Sequence, residues 1–212
     1  MRIGFIGAGN IAKVFGKHLV IAGHKVVISN SRGPETLTEL VAALGANAKA
    51  GTKDEAIECE VVILATHWTQ AQRALEGVKW SGQILIDAVN AHEGAPPDIS
   101  PAGVAKSIAA LNGRVSSQMI AEWAPGARLV KAISNMPMAW ISDFTEGKAK
   151  TIIFVSGDDK PAKGVVISII RSVGFEPIDL GSLAIGGTVC QVGGPLSGLD
   201  LRLIQRMRPA TD

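Results

Sequence analysis

Tyrosine is absent from the sequence, and cysteine occurs only at Cys59 and Cys190. The two cysteines lie far apart and form no Cys-x-x-Cys motif, so neither a disulfide framework nor a cysteine-based metal site is expected. Without tyrosine, the chain cannot carry the Tyr-x-x-x-Lys pair that short-chain dehydrogenases use as a proton donor. We therefore expect no bound metal and no tyrosine-based acid catalysis.

Long apolar runs are missing as well. No run reaches the roughly 18 apolar residues of a membrane span, and the first ten residues, interrupted by Gly4, Gly7 and Gly9, lack the apolar core of a signal peptide. The 21 basic and 19 acidic residues leave a net charge of +2, which gives no reason to expect nucleic acid. These features predict a cytoplasmic protein with neither a membrane nor a nucleic-acid partner.

The sequence does contain short aliphatic runs, such as VVILA at 61–65, that alternate with helical patterns. Such runs are typical of strands buried on both faces of a parallel sheet, and their alternation with helices indicates βαβ units. We predict an α/β fold with a Rossmann-type, doubly wound, mostly parallel sheet and a small C-terminal extension. Residues 1–125 would form the dinucleotide-binding core, and residues 126–212 would extend the sheet and cover it within one compact unit.

The predicted elements follow from apolar periodicity and from the positions of Gly and Pro. Strands are predicted at 3–6, 25–29, 46–50, 60–65, 84–87, 128–133, 151–156 and 177–180, and helices at 11–22, 34–44, 71–78, 116–124 and 161–173. Residues 88–115 are rich in Gly, Pro and small side chains and predict a long irregular connection. Residues 181–212 predict a loop or short helix folded back over the sheet edge.

The motif GAGNIA at 7–12 lies directly between the first predicted strand and the first predicted helix. In that context Gly7 would form the tight turn, and Gly9 would let a pyrophosphate approach the backbone. Asn10 and Ile11 open the helix, whose N-terminal N–H groups are free to bind phosphate. The motif predicts a dinucleotide site; the alternative is a glycine turn of purely structural origin.

An acidic residue is missing where proteins that prefer NAD usually carry one, about 20 residues beyond the glycines. No Asp or Glu occurs between Asn10 and Pro34, and the second predicted strand is followed by Asn30, Ser31 and Arg32. An Arg fork and a Ser hydroxyl are the groups that a 2′-phosphate requires. The sequence therefore predicts NADP as the cofactor, the alternative being a solvated loop arginine.

Further candidate site residues follow the carboxyl ends of the strands, where ligands bind in such sheets. They are Ala65, Thr66, His67 and Trp68 after the fourth strand, Asn90 after the fifth, and Asn135 and Met136 after the sixth. His67 is a candidate proton donor, the alternative being a neutral loop residue. Trp68 is expected to line the pocket, the alternative being a structural role in packing on the sheet. For Asn90 and Asn135 two roles stay open: a hydrogen bond to a carboxamide of the ligand, or the capping of a turn.

Hydride transfer between two ring cofactors fits these features, because it does not strictly require a placed acid. The motifs resemble those of the NADPH-dependent coenzyme F420 reductases, the F420H2:NADP oxidoreductases, in their bacterial branch. The resemblance covers nearly the whole chain and rests on IGFIGAGNIA, SNSRGPE, VVILATHW, IDAVN, APGARLVKA, FVSGDD and GGPLSGL.

The resemblance implies that Gly7, Gly9, Asn10 and Ile11 hold the pyrophosphate, and that Ser31 and Arg32 hold the 2′-phosphate. It also implies that the segments containing His67–Trp68, Asn135–Met136 and Pro195–Leu196 lie near the hydride-transfer face. The small-molecule partner would be coenzyme F420 or a flavin, and a homodimer stays open as the assembly. The alternatives are an NADPH-dependent reductase of another small molecule or metal chelate, and an NADP-sensing module without turnover.

Overall fold

The computed structural model describes residues 1–94, 96–135, 137–139 and 149–205. In its first half, strands and helices alternate as the apolar patterns predict, with the addition of α3, which the patterns did not predict. The elements are β1 (Arg2–Ile6), α1 (Asn10–Ile21), β2 (Lys25–Ser29), a 3₁₀ turn (Pro34–Leu37), α2 (Thr38–Leu44), β3 (Ala48–Ala50), α3 (Lys53–Ile57), β4 (Val61–Leu64), α4 (Trp68–Leu75) and β5 (Ile84–Asp87).

The second half of the chain extends the same sheet. Its elements are α5 (Pro101–Ala110), α6 (Ser116–Trp123), β6 (Arg128–Ala132), β7 (Lys150–Gly157), α7 (Lys160–Ser172), β8 (Glu176–Asp179), a π-helical turn (Leu183–Gly187), the short α8 (Thr188–Cys190) and β9 (Arg202–Leu203). Within the described residues, no helix has the length and apolar character needed to cross a membrane.

The strand order is β3-β2-β1-β4-β5-β6-β7-β8, with β9 paired to β7. Strands β1 to β6 are all parallel, β7 runs antiparallel to β6, and β8 is parallel to β7. The first six strands have the order of a dinucleotide-binding sheet. The predicted fold class, Rossmann-type and mostly parallel, is confirmed.

The prediction of an irregular connection over residues 88–115 is wrong, because it contains α5. Ser100 begins this helix by accepting a hydrogen bond from the Gly103 N–H at 3.1 Å, and Pro101 occupies the first helical position. Both residues are favoured at a helix start. The high content of Gly and Pro hid that local signal.

Apolar side chains cover both faces of the sheet. One layer packs α1 and α7 against the sheet through Phe15, Leu19 and Val166, and the opposite layer packs α4 and α6 through Leu75 and Ile120. Since both faces are buried, the carboxyl-end edge of β1 to β6 is the place where polar loops can gather. The described candidate residues of the loops after β1, β2, β4, β5 and β6 lie at this edge.

Candidate functional site

Gly7 forms the turn between β1 and α1. Its φ angle is +114°, and its N–H donates a hydrogen bond to the Ser29 carbonyl oxygen at 3.0 Å. A Cβ atom at this position would lie 2.3 Å from the Ala65 carbonyl oxygen. Gly7 is thus required by the fold itself, both for its conformation and for the close approach of β4.

Gly9 has a different reason to be glycine. It is the N-cap of α1 with φ −83°, and a Cβ built there would have no protein atom within 4 Å. As a glycine, this N-cap makes no side-chain hydrogen bond to the N–H groups of the first turn, and no acidic residue lies in that turn. This arrangement fits a pyrophosphate, because an uncapped helix N-terminus attracts anions.

The loop after β2 is shaped by Asn30. Its Oδ1 accepts a hydrogen bond from the Arg32 N–H, and its Nδ2 donates to the Thr36 Oγ1, both at 2.9 Å. The side chains of Ser31 and Arg32 remain exposed. Arg32 lines a cavity of about 620 Å³ together with Lys13, Lys17 and other residues of α1 and α2. Glu39 also lines this cavity, and the Lys17 Nζ donates to the Ala43 carbonyl oxygen at 3.0 Å. The positive charge that suits the 2′-phosphate of NADP therefore comes from Arg32 and Lys13.

A second cleft of about 380 Å³ lies at the carboxyl-end edge of the sheet. It brings together several of the predicted residues from separate loops. Its lining consists of Asn10, Ile11, Thr66, His67, Trp68, Ala88, Asn90, His92, Pro97, Ile133, Pro137, Met138 and Ala139. The lining combines apolar side chains with amide and hydroxyl groups, as is typical of a site for a flat, polar-edged ring.

His67 and Trp68 begin α4 at one wall of this cleft. His67 is the N-cap residue and is exposed, whereas Trp68 is partly buried and packs its ring against Trp123 with a centroid distance of 5.2 Å. Trp68 therefore lines the cleft and also packs against Trp123, so it has both a pocket-lining and a packing position. Ala65, at the end of β4, is buried beneath this wall.

His92 also lines the cleft, and the sequence patterns did not identify it. Its backbone N–H donates to the Asn90 carbonyl oxygen at 2.8 Å, and burial lowers the pKa of its imidazole. Its Nδ1 is buried without a hydrogen-bond partner among the described residues. Its place a few residues after the fifth strand was the one available signal.

Asn90 and Asn135 come from neighbouring loops after β5 and β6. The Asn90 Nδ2 donates to the Ser134 carbonyl oxygen at 2.8 Å, which joins the two loops. Within the described part of the chain, Asn90 Oδ1, Asn135 Nδ2 and Thr66 Oγ1 are buried without a hydrogen-bond partner. Buried polar atoms normally find partners. Thr66 and Asn90 line the cleft, so their atoms fit a ligand that supplies the missing bonds, whereas Asn135 is not part of the described lining.

Among the described residues, the C-terminal segment contributes no side chain to the lining of the cleft. Leu196 packs against the apolar cluster of Ile152, Phe154 and Cys190, and the exposed Pro195 precedes it; neither lines the cleft as described above. Two residues later the Gly198 N–H donates to the Asn135 carbonyl oxygen at 2.7 Å. Met136, another predicted substrate residue, lies outside the described residues.

The chain is similar to known oxidoreductases in sequence and in fold. The family model for NADP oxidoreductase, coenzyme F420-dependent, matches residues 2–91. A hypothetical protein of Sinorhizobium meliloti is 34% identical, with a TM-score of 0.83 and 95% of both chains covered. A protein from Arthrobacter sp. FB24, described as an F420-dependent NADP reductase, is 25% identical, with a TM-score of 0.70, covering 87% of this chain and 86% of its own.

Among curated relatives, the rat metalloreductase STEAP3 is 27% identical over 186 residues, which is 86% of this chain. The match spans 34% of the metalloreductase, so the chain corresponds to about a third of that protein's length.

Proposed function

The chain belongs to the family of coenzyme F420-dependent NADP oxidoreductases, and we propose that it transfers a hydride between NADP(H) and a deazaflavin, such as coenzyme F420, or a flavin. NADPH, when bound, would supply the hydride. The protein's contribution in such a reaction is binding, orientation and exclusion of water rather than covalent chemistry.

The observation that carries this proposal is the lining of the 380 Å³ cleft. Among its described lining residues, His67 and His92 are the titratable ones, and the walls are formed by Ile11, Trp68, Ile133 and other apolar groups. A site without a carboxylate or a lysine suits transfer between two rings, because neither partner needs a strong acid at the reacting carbon. Flat apolar walls favour stacked rings.

Each candidate residue has a role in this proposal. The N–H groups of α1 above Gly9 would bind the pyrophosphate, and Ser31 and Arg32 would bind the 2′-phosphate. The unpartnered polar atoms of Thr66 and Asn90 would orient the carboxamide. Asn135, Met136, Pro195 and Leu196 would lie on the side of the second ring.

The test is to follow the loss of reduced-nicotinamide absorbance with NADPH and a panel of coenzyme F420, FMN, FAD and ferric chelates. We expect the highest kcat/KM with the deazaflavin, followed by the flavins. A protein that binds NADPH tightly but reduces no acceptor in the panel would refute the proposal and favour an NADP-sensing module.

A second candidate is reduction of a ferric chelate, favoured by the match to the metalloreductase STEAP3. The same panel separates the two functions. Turnover with a ferric chelate in the absence of any flavin or deazaflavin would support this second candidate.

Substitution of Arg32 by alanine is expected to remove most of the preference for NADPH. A charge-assisted phosphate contact contributes about 1.5–3 kcal/mol, or about one to two decades in Kd. NADPH should bind at least about tenfold more tightly than NADH to the unaltered protein, and nearly equally to the variant. Isothermal titration with both cofactors measures this, with Arg171→Ala, which removes an exposed charge from α7, as the control. Equal dissociation constants in the unaltered protein would contradict the assignment.

Substitution of His67 by alanine is expected to lower kcat by less than the roughly hundredfold that loss of a general acid commonly costs. His67 is exposed at the start of α4, and orientation of the two rings would carry the reaction. The measurement is the pH profile of kcat for the unaltered protein, His67→Ala and His92→Ala. A larger loss together with a flattened profile near neutrality would instead indicate a reductase of another small substrate with a histidine acid.

A further inference from the structure

A buried ion pair lies beneath the cleft, and the role proposed above does not use it. The Lys131 Nζ is 3.2 Å from the Asp87 Oδ2, and the two side chains are 2% and 0% exposed. The residues are register partners on the parallel strands β5 and β6, at the end of each strand that faces the cleft. Neighbours on the same face, such as Leu85 and Leu129, are apolar.

Both charged side chains form hydrogen bonds with the main chain of Val89. The Lys131 Nζ donates a hydrogen bond to the Val89 carbonyl oxygen, and the Asp87 Oδ1 accepts one from the Val89 N–H at 2.9 Å. Val89 directly precedes Asn90, whose side chain lines the cleft. The ion pair thus fixes the start of the loop that presents Asn90.

The loop after β6 carries a strained residue. Ile133 has a φ angle of +63°, which a β-branched side chain rarely adopts, and it is 2% exposed while lining the cleft. It lies two residues beyond Lys131, and the Asn90–Ser134 hydrogen bond joins its loop to that of Val89. Such a conformation persists only where the surrounding structure holds it in place.

We propose that the Lys131–Asp87 pair is a positioning device for hydride transfer: it holds the Val89–Asn90 and Ile133–Ser134 loops in the geometry that seats the nicotinamide. The inference rests on the proposed function of this cleft. A buried ion pair is seldom more stabilising than an apolar pair of similar volume. Its directional bonds to Val89 do supply a fixed geometry, which an apolar pair would not.

The experiment compares Asp87→Asn, Lys131→Met and the double variant with the unaltered protein. The single variants leave one buried charge without its partner and should lower the melting temperature, whereas the double variant removes both charges and should regain stability. Asp179→Asn is the control for loss of a lysine–aspartate pair away from the cleft, since Lys163 and the exposed Asp179 lie 2.9 Å apart between α7 and β8. This control should leave hydride transfer unchanged.

We expect hydride transfer by the double variant to stay at least about tenfold below that of the unaltered protein, because a displacement of about 1 Å can cost on the order of 100-fold. Affinity for 2′,5′-ADP, which lacks the nicotinamide, should change by less than about threefold. The stereospecificity of transfer from NADPH deuterated at C4 should also decline, an effect that lowered stability alone does not produce.

Two results would overturn the inference. One is a double variant that regains stability and hydride transfer together. The other is equal weakening of NADPH and 2′,5′-ADP binding in the single variants. If Lys131→Met fails to fold, Asp87→Asn carries the test: the Asn Oδ1 can still accept the Val89 N–H bond, so a decline in stereospecificity reports the loss of the ion pair itself. If the unaltered protein reduces no acceptor, the proposed function fails, but the ratio of NADPH to 2′,5′-ADP affinity still tests the positioning.

Discussion

Replacing Gly9 by alanine is expected to weaken NADPH binding by about one to two decades while leaving the melting temperature within about 2 °C. The φ angle of Gly9, −83°, is one that alanine adopts readily, and no protein atom lies within 4 Å of the added methyl group. That space is where a pyrophosphate would approach the N-terminus of α1. The methyl group would therefore clash with the ligand and not with the protein.

Gly7→Ala is the contrasting variant. Its φ angle of +114° and the 2.3 Å approach to the Ala65 carbonyl oxygen oppose any side chain, so it should destabilise the fold by about 1–3 kcal/mol or more. Titration with NADPH and thermal unfolding of both variants separate the two roles. A Gly9→Ala protein that binds NADPH with unchanged affinity would show that the pyrophosphate does not lie over Gly9.

Truncation after Val192 is expected to reduce hydride transfer by more than about 100-fold while changing the affinity for 2′,5′-ADP by less than about threefold. The removed segment includes Gly198, whose N–H binds the Asn135 carbonyl oxygen, and Leu196, which packs beside β7. The removed segment also includes β9, which pairs with β7. Its loss would release the loop that carries Asn135, beside which the second ring is proposed to bind. Water would then enter and the rings would lose their alignment.

The control for this prediction is a chain that ends after Gln205, which retains the Gly198–Asn135 hydrogen bond. If the shorter chain fails to fold, Gly198→Pro serves instead, because proline removes the N–H donor and cannot adopt the φ angle of +73°. Full hydride transfer by both altered chains would show that residues 193–198 act only as a structural clasp on the sheet edge.

The strand–turn–helix at Gly7 and Gly9 was predictable from the sequence because its signals are local. The first twenty residues contain a short apolar run, two glycines and a helical period in direct succession. The predicted 2′-phosphate residues, Asn30, Ser31 and Arg32, are likewise consecutive in the sequence. The alternation of such units was sufficient to predict the parallel sheet, since connection length and strand handedness leave few alternatives. The helix α5 was also encoded locally by Ser100 and Pro101, although the surrounding glycines and prolines obscured it.

Contacts between distant parts of the chain were decided only by the tertiary structure. No local pattern predicts that β7 runs antiparallel to β6, that His92 and Thr66 line the same cleft, or that Lys131 meets Asp87. A lysine within the apolar strand LVKA was the visible anomaly, but its partner depends on the register of two strands far apart in sequence. The positive φ of Ile133 likewise has no local signal in the sequence, and the next residue, Ser134, is joined to the loop after β5 by the Asn90 hydrogen bond. Such a conformation depends on the structure around it and not on side-chain periodicity.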